Sequence, residues 1–464
     1  MTTKIEKRGT IVALLLAGAF IAILNQTLMI TAIPPIMDEM GITPNSAQWL
    51  TTIFMLINGI MIPISAFLID RFTTRQLFIT AMSIFALGTL VAALAPNFAI
   101  LLAGRAIQSA GAGVMLPLMQ TVFLMIFPVN KRGSVMGLVG LVISFAPAIG
   151  PTLSGWITEL YSWRVLFLII LPIAIIDIVI AYFVMKNVTE VSKPKVDVLS
   201  IILSSFGFGG LLYGFTSAGN VGFDSPITIA VLAIGLLSLI LFIIRQLKLE
   251  HPMLEFRVFK YSIFPFTIVI GMISFMGLIA VETLIPLYMQ DARDFTPVDA
   301  GLVILPGALI TGLMSPITGR IFDKVGAKWL VIPGLVLMTI GTFMFSNLDD
   351  QTTTTYMTIV FAIRMFGMSM VMMPIATAGL NQLPNRLIAH GAAMDNTLKN
   401  VSASIGTAVL VTVLTTSESI AEKSGEAFPG IVGSNTAFLW LSILTLVGLI
   451  VSFFVRYKQP ENIE

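Results

Sequence analysis

The chain has 464 residues, 56% of them apolar and only 11% charged, with a mean hydropathy of +0.96 and a net charge of +2. So few polar groups cannot cover a water-soluble core of this size, and basic residues scattered over short loops exclude a nucleic-acid-binding patch. The absence of cysteine excludes disulfides, thiolate metal sites and cysteine nucleophiles.

Long apolar runs recur along the chain, of the length needed to cross about 30 Å of hydrocarbon. The first follows Lys4, Lys7 and Arg8. From 11 to 33 it is too long for a signal-peptide core and lacks a small-x-small cleavage site, so it reads as a retained helix. Spans are predicted at 10–33, 47–69, 77–95, 98–124, 133–157, 165–185, 198–217, 226–246, 264–289, 299–321, 329–346, 355–380, 390–415 and 436–456. This is an all-α membrane protein of 14 helices, with both termini on one side.

Charge gives the direction. One side collects 20 of the 26 Lys and Arg residues: the three above, Arg71, Arg75, Lys131, Arg132, Lys186, Lys193, Lys195, Arg245, Lys248, Arg257, Lys260, Arg320, Lys324, Lys328, Arg386, Arg456 and Lys458. The other side has Arg164, Arg293 and Lys423, while Arg105, Arg364 and Lys399 fall inside spans. The positive-inside rule therefore predicts that both termini are cytoplasmic.

The chain also repeats itself. Asp70-Arg71 after span 2 recurs as Asp323-Lys324 after span 10, at an offset of 253. Arg105 and Arg364 are 259 apart, and Gly150 and Gly406 are 256 apart. Two related halves follow, with the surplus residues forming two inserted helices. The expected units are 1–186 and 263–464, each a six-helix bundle, and 187–262, the inserted pair with its linkers.

Four local motifs carry a family likeness. The loop Gly319-x-x-x-Asp323-Lys324-x-Gly326-Ala327-Lys328 has a degraded first copy in Asp70, Arg71 and Arg75, with Ala66 and Thr73 where glycine is usual. Arg105-x-x-Gln108 precedes Gly111 and Gly113 in span 4. Span 5 contains Gly137-x8-Ala146-x3-Gly150-Pro151-x2-Ser154-Gly155. Span 1 ends in Asn25-Gln26-Thr27-Leu28-Met29-Ile30-Thr31-Ala32-Ile33-Pro34. In these residues, and over nearly its whole length, the chain resembles the major facilitator superfamily. Within it, the chain is most similar to the fourteen-helix drug:proton antiporters, and among those to the Gram-positive lincomycin-resistance-type pumps.

The resemblance implies roles. Asp70, Arg71, Arg75, Asp323, Lys324 and Lys328 become a conformational latch, a carboxylate set near the positive end of a neighbouring helix; the alternative is ordinary positive-inside loop charge. Arg105 becomes the intramembrane arginine that tunes a nearby acid; the alternative is an arginine satisfied by carbonyls. Gly137, Gly150, Pro151 and Gly155 become the antiporter motif, which implies export. At the end of span 1 the family has an acid where this chain has Asn25, and an amide cannot carry a proton.

Another carboxylate must then do that work. Asp177, Glu282 and Asp395 are the acids well inside spans. Glu282 lies at a depth similar to that of Arg105, about 10 Å below the outer surface, and by analogy its helix lines the central cavity. Glu282 is the expected coupling acid with Arg105 as its partner, and Asp177 is a second candidate, facing the inserted pair or a lipid crevice. Asp395 and Lys399 share one helix face and read as a structural ion pair. Asn25, Gln26, Asn58, Gln108, Gln120 and Asn396 are the polar groups expected to handle substrate.

No phosphate-binding G-x-x-x-x-G-K-S/T occurs, so ATP is not the direct fuel. Neither His251 nor His390 resembles a metal site, and no cofactor is implied. The expectation is a monomeric proton-coupled exporter of small-molecule drugs working by alternating access in the lipid bilayer, and not an enzyme. A dedicated proton-coupled exporter of one metabolite, peptide or signalling molecule is the alternative.

Overall fold

The computed structural model describes residues 8–189, 191–192 and 194–455. The basic residues Lys4, Lys7, Lys193, Arg456 and Lys458 lie outside the described residues. The described residues form 14 long α-helices: α1 (Arg8–Met40), α2 (Pro44–Arg71), α3 (Thr74–Ala93), α4 (Phe98–Ile126), α5 (Arg132–Leu160), α6 (Arg164–Val184), α7 (Val198–Val221), α8 (Pro226–Lys248), α9 (Phe264–Asp291), α10 (Pro297–Val325), α11 (Lys328–Met344), α12 (Thr354–Leu380), α13 (Ile388–Lys423) and α14 (Pro429–Phe454). Each contains a stretch long and apolar enough to cross a membrane. Without water to solvate the backbone, a helix is the way such a segment satisfies its own peptide groups.

Three helices outrun their predicted spans by about two turns. α1 continues through Pro34 and Pro35 to Met40, α13 runs on to Lys423, and α14 begins at Pro429. Hydropathy marks where hydrocarbon ends, not where hydrogen bonding ends. The extra turns of α1 have a purpose: they carry Glu39 to Arg164 and to the indole of Trp163, whose Nε1–H donates to Glu39 at 2.7 Å. Arg164, against a smaller effect of partial burial and assisted by Trp163, holds the Glu39 carboxyl below its ordinary range.

The packing repeats as the sequence does. In the first six helices α3 packs on α4, α2 on α4, α1 on α5, α3 on α6, and α1 on α4 and α6. The last six contain the same pairs eight numbers on: α11 on α12, α10 on α12, α9 on α13, α11 on α14, and α9 on α12 and α14. The contacts between bundles repeat too, with α5 on α10 mirrored by α13 on α2, and α5 on α12 mirrored by α13 on α4. Two six-helix bundles thus face each other across a pseudo-two-fold axis.

The inserted helices α7 and α8 pack on each other, and α7 also lies against α2 and α13. Gly210 and Gly235 let the α7 and α8 backbones touch; a Cβ on Gly210 would sit 2.8 Å from Gly235 Cα. Leu212 of α7 fills the space over Gly59 of α2, and Trp49 of α2 stacks on Tyr213 at 5.6 Å. The pair therefore covers one of the two seams between the bundles.

Candidate transport site

The bundles are joined at the face that carries Arg71, Arg75, Lys131 and Lys328, here called the basic face. Three glycines on α5 make the joint possible. A Cβ on Gly133 would lie 2.6 Å from Gly319 O, on Gly137 2.5 Å from Ser315 O, and on Gly140 2.8 Å from Ser315 Oγ. With hydrogens in place of side chains, the α5 and α10 backbones meet directly. Asp323 then reaches the first turn of α5, accepting from Gly133 N–H at 2.7 Å, from Ser134 N–H at 2.8 Å, and from the Ser134 hydroxyl. A carboxylate on the free N–H groups of a helix start is a charge-assisted contact favoured by the helix dipole.

The symmetry-related joint uses different chemistry. Asp70, at the end of α2, lies 3.0 Å from His390 Nε2 in the first turn of α13. His390 Nδ1 accepts the Glu255 N–H at 3.2 Å, so the proton of the neutral ring is on Nε2 and is donated to Asp70. Glu255 belongs to the linker after α8, so one buried imidazole joins the first bundle, the insert and the second bundle. Nothing in the sequence around His390 signals this role, which depends on which helix ends meet. At the same level Arg132 donates to Asn381 at 2.9 Å, and deeper in Asn396 donates to Gln120 at 2.7 Å, again across the seam.

The other latch candidates are peripheral to these bonds. Arg71 donates to Pro194 O at 2.5 Å, and Arg75 stacks over Tyr182 at 4.7 Å. Lys324 and Lys328 are exposed at either side of the turn after Asp323.

The antiporter glycines divide into three environments. Gly137 faces the opposite bundle, Gly150 faces Thr27 of α1 in its own bundle, and Gly155 has open space around it. The Pro151 carbonyl accepts the Thr31 hydroxyl of α1 at 3.3 Å.

Each bundle buries one arginine completely. Arg105 donates from Nη1 to Asn25 Oδ1 at 2.5 Å and to Gln108 Oε1 at 2.7 Å, and from Nε to Leu50 O at 3.3 Å, with Phe54 stacked 4.3 Å away. Gln108 is anchored in turn by Thr89 at 2.8 Å. All of its acceptors are neutral, and Nη2 has no partner. Arg364 donates from Nε to Thr342 at 3.0 Å and from Nη2 to Gly277 O at 2.6 Å. Its charge also acts on Glu282 of α9.

This changes the expected pairing. Arg105 is spent on amides and a carbonyl within the first bundle, and the cation that Glu282 feels is Arg364 of its own bundle. In the sequence Arg364 is a repeat marker; the packing of α9 on α12 is what brings its charge within electrostatic reach of Glu282. Asp177 also lies elsewhere than expected. It is buried between α6 and α1, with Oδ2 3.1 Å from where a Cβ on Gly18 would stand, in a space shared with Phe78 and Met82 of α3. It meets neither the inserted pair nor lipid, because α6 turns that face towards α1 and α3. Asp395 and Lys399 form the expected pair at 2.7 Å, buried against Gly271 of α9.

Of the six polar groups predicted to handle substrate, Asn25 and Gln108 hold Arg105, and Gln120 and Asn396 hold each other. Gln26 and Asn58 are half-buried and keep accessible surface. No cluster of His, Cys, Asp or Glu among the described residues is arranged to bind a metal ion.

Comparison with known proteins agrees with this geometry. The family model of the Major Facilitator Superfamily matches residues 15–407. The chain is 54% identical to an uncharacterized MFS-type transporter, YcnB, of Bacillus subtilis, over 99% of this chain and 98% of that one. It is 44% identical to the lincomycin resistance protein LmrB of the same organism, over 97% and 96% of the two chains. Among solved structures, the human organic anion transporter MFSD10 superposes with a TM-score of 0.70, covering 96% of this chain and 99% of that one, at 13% identity, which speaks for the fold alone. A multi-pass membrane chain built of two facing six-helix bundles, matched by the family model over residues 15–407, this protein belongs to the major facilitator superfamily of transporters.

Proposed function

We propose that the protein is a proton-coupled exporter of lipophilic toxic compounds, working by alternating access with its basic face towards the cytoplasm. In this reading 1–186 and 263–464 rock against each other, and 187–262 rides on the α2/α13 seam. The bonds of Asp323 and Asp70 latch the basic face shut, so the conformation in hand is the one closed to the cytoplasm. Gln26 and Asn58 offer hydrogen bonds to the drug, and the resistance named for relatives such as LmrB supports a drug as cargo.

One observation carries the reading: an intramembrane carboxylate, Glu282 of α9, lies within electrostatic reach of the fully buried Arg364 of α12, on helices that otherwise hold almost no charge. A buried acid near a cation binds or releases its proton according to how far the cation and water stand from it. Rocking of the bundles changes both. Glu282 takes a proton from outside as drug leaves; when the basic face opens, the proton departs inward and drug binds. The supply is adequate, since one charge crossing 100 mV yields about 2.3 kcal/mol and each pH unit about 1.4 kcal/mol.

The test is export from proteoliposomes under an imposed pH gradient, across a panel of chemically different lipophilic compounds that includes lincomycin. Glu282→Gln is expected to abolish pH-driven export while leaving drug binding intact. Unchanged coupling in that variant removes Glu282 from the mechanism.

A further inference from the structure

The hydrogen bonds of segment 187–262 divide between the two bundles. Its first linker is fastened to the first bundle, at the turn between α2 and α3. Asn187 Oδ1 accepts the Thr74 N–H at 2.9 Å, and the Thr74 hydroxyl accepts the N–H groups of Val188 at 3.1 Å and Thr189 at 3.3 Å. Ser192 N–H donates to Asp70 O at 3.0 Å, and Arg71 donates to Pro194 O. Its second linker is fastened to the second bundle. Glu255 N–H donates to His390 Nδ1 at 3.2 Å, and the 256–260 turn that follows packs on α9 before the chain enters that helix at Phe264.

The two linkers are bonded to each other through the inserted helices. Asp197 caps α7 by accepting Ser200 N–H at 3.2 Å, and it accepts Nε and Nη2 of Arg245 on α8 at 2.9 and 3.0 Å. The buried Gln246 donates to Ser200 Oγ at 2.6 Å and accepts Met253 N–H at 2.7 Å. A path of covalent and hydrogen bonds thus crosses the basic face from Thr74 to His390. It runs beside the direct Asp70–His390 bond, and both end on one imidazole. The joint at Asp323, on the other seam, has no insert beside it.

We propose that the insert is a strap across the α2/α13 seam, fastened to the first bundle by its first linker and released from the second at the Glu255–His390 bond. The proposal rests on the reading of the basic face as a latch between rocking bundles. The release point follows from the uneven grip: several hydrogen bonds hold the strap to α2 and α3, and one holds Glu255 to α13. A hydrogen bond weakens steeply with distance and angle. When α2 leaves α13, that single bond is the one that must break, together with the Asp70 bond on the same ring. The strap therefore favours the closed basic face and adds its weight on one seam only.

The experiment deletes the donor. Glu255 has φ −85°, near the value of about −65° that proline fixes, so Glu255→Pro removes the N–H with little change of path. Spin labels at Lys131→Cys and Arg386→Cys, exposed on opposite bundles, read the closed-to-open ratio in reconstituted full-length protein. Glu255→Pro should lower that ratio by about 2- to 13-fold, the worth of one net hydrogen bond. Glu255→Ala keeps the N–H and should match wild type. Thr74→Val removes the hydroxyl that holds the first linker and should shift the ratio in the same direction; it decides the matter if a Tm measurement shows that the proline variant does not fold. Asp70→Ala tests the latch itself. A wild-type distance in folded Glu255→Pro, or equal shifts in the proline and alanine variants, overturns the strap while an opened Asp70→Ala leaves the latch standing. Wild-type distances in Asp70→Ala as well overturn both.

Discussion

Replacing Gly137 by alanine should open the basic face without unfolding the protein. The new Cβ would stand 2.5 Å from Ser315 O and 2.9 Å from Pro316 Cα, both backbone atoms of α10 in the opposite bundle. Neither can swing aside as a side-chain tip would. The helices must part by roughly 1 Å to restore van der Waals contact, at a cost of about 1–3 kcal/mol for overpacking. They cannot part locally, because Gly133 and Gly319 interlock one turn away, a Cβ on Gly319 falling 2.2 Å from Gly133 O, and Asp323 is bonded to the same turn. The cost falls only on the state in which the seam is closed, so the closed-to-open ratio should drop by about 5- to 150-fold. Spin labels at Lys131→Cys and Arg386→Cys, exposed positions on opposite bundles, report this as a longer distance, with no native cysteine to interfere. Two other glycines of the same motif serve as controls. Gly155→Ala meets nothing within 4 Å and should be silent. Gly150→Ala meets Thr27 Oγ1 at 2.1 Å inside one bundle, so it should lower Tm without changing the label distance. A wild-type distance distribution in Gly137→Ala would show that the α5/α10 seam does not set the conformational balance.

Two further outcomes follow from the ion pairs. Asp395→Asn leaves the Lys399 ammonium buried without a counter-charge and should cost about 3–5 kcal/mol, seen as a large fall in Tm, whereas Asp395→Leu/Lys399→Leu should recover most of it; equal losses in both would mean that the pair acts through packing alone. At the opposite face, Glu39 has a depressed folded-state pKa, so its contribution is present above its unfolded pKa and is lost as pH falls through the lower folded value. Both side chains are partly exposed, and solvent screening limits the worth of the pair to under about 1 kcal/mol. Thermal melts of wild type and Glu39→Gln should differ slightly at pH 7 and converge as pH falls below the ordinary carboxylate range, and a gap that persists in acid would refute the assignment.

The positions of the 14 spans were legible because hydropathy is written along one dimension: each helix must present about 20 apolar residues to lipid whatever its neighbours do. The same holds for the repeat, which is written in the offsets between Asp70 and Asp323, Arg105 and Arg364, and Gly150 and Gly406. The ends of α1, α13 and α14 were not legible, since beyond the hydrocarbon a helix continues or stops according to tertiary partners such as Arg164 for Glu39.

Sequence alone thus determined the membrane class, the helix count, the two-fold repeat and the short roster of intramembrane charges. Partnership was decided by folding. Glu282 feels Arg364 and not Arg105, Asp177 turns towards α1, and His390 meets both Asp70 and the Glu255 backbone because helix rotation and packing choose neighbours far apart in the chain. Hydropathy constrains how deep a side chain lies; only the packed bundle fixes the direction in which it points, and a charge buried in a membrane derives its chemistry from that direction.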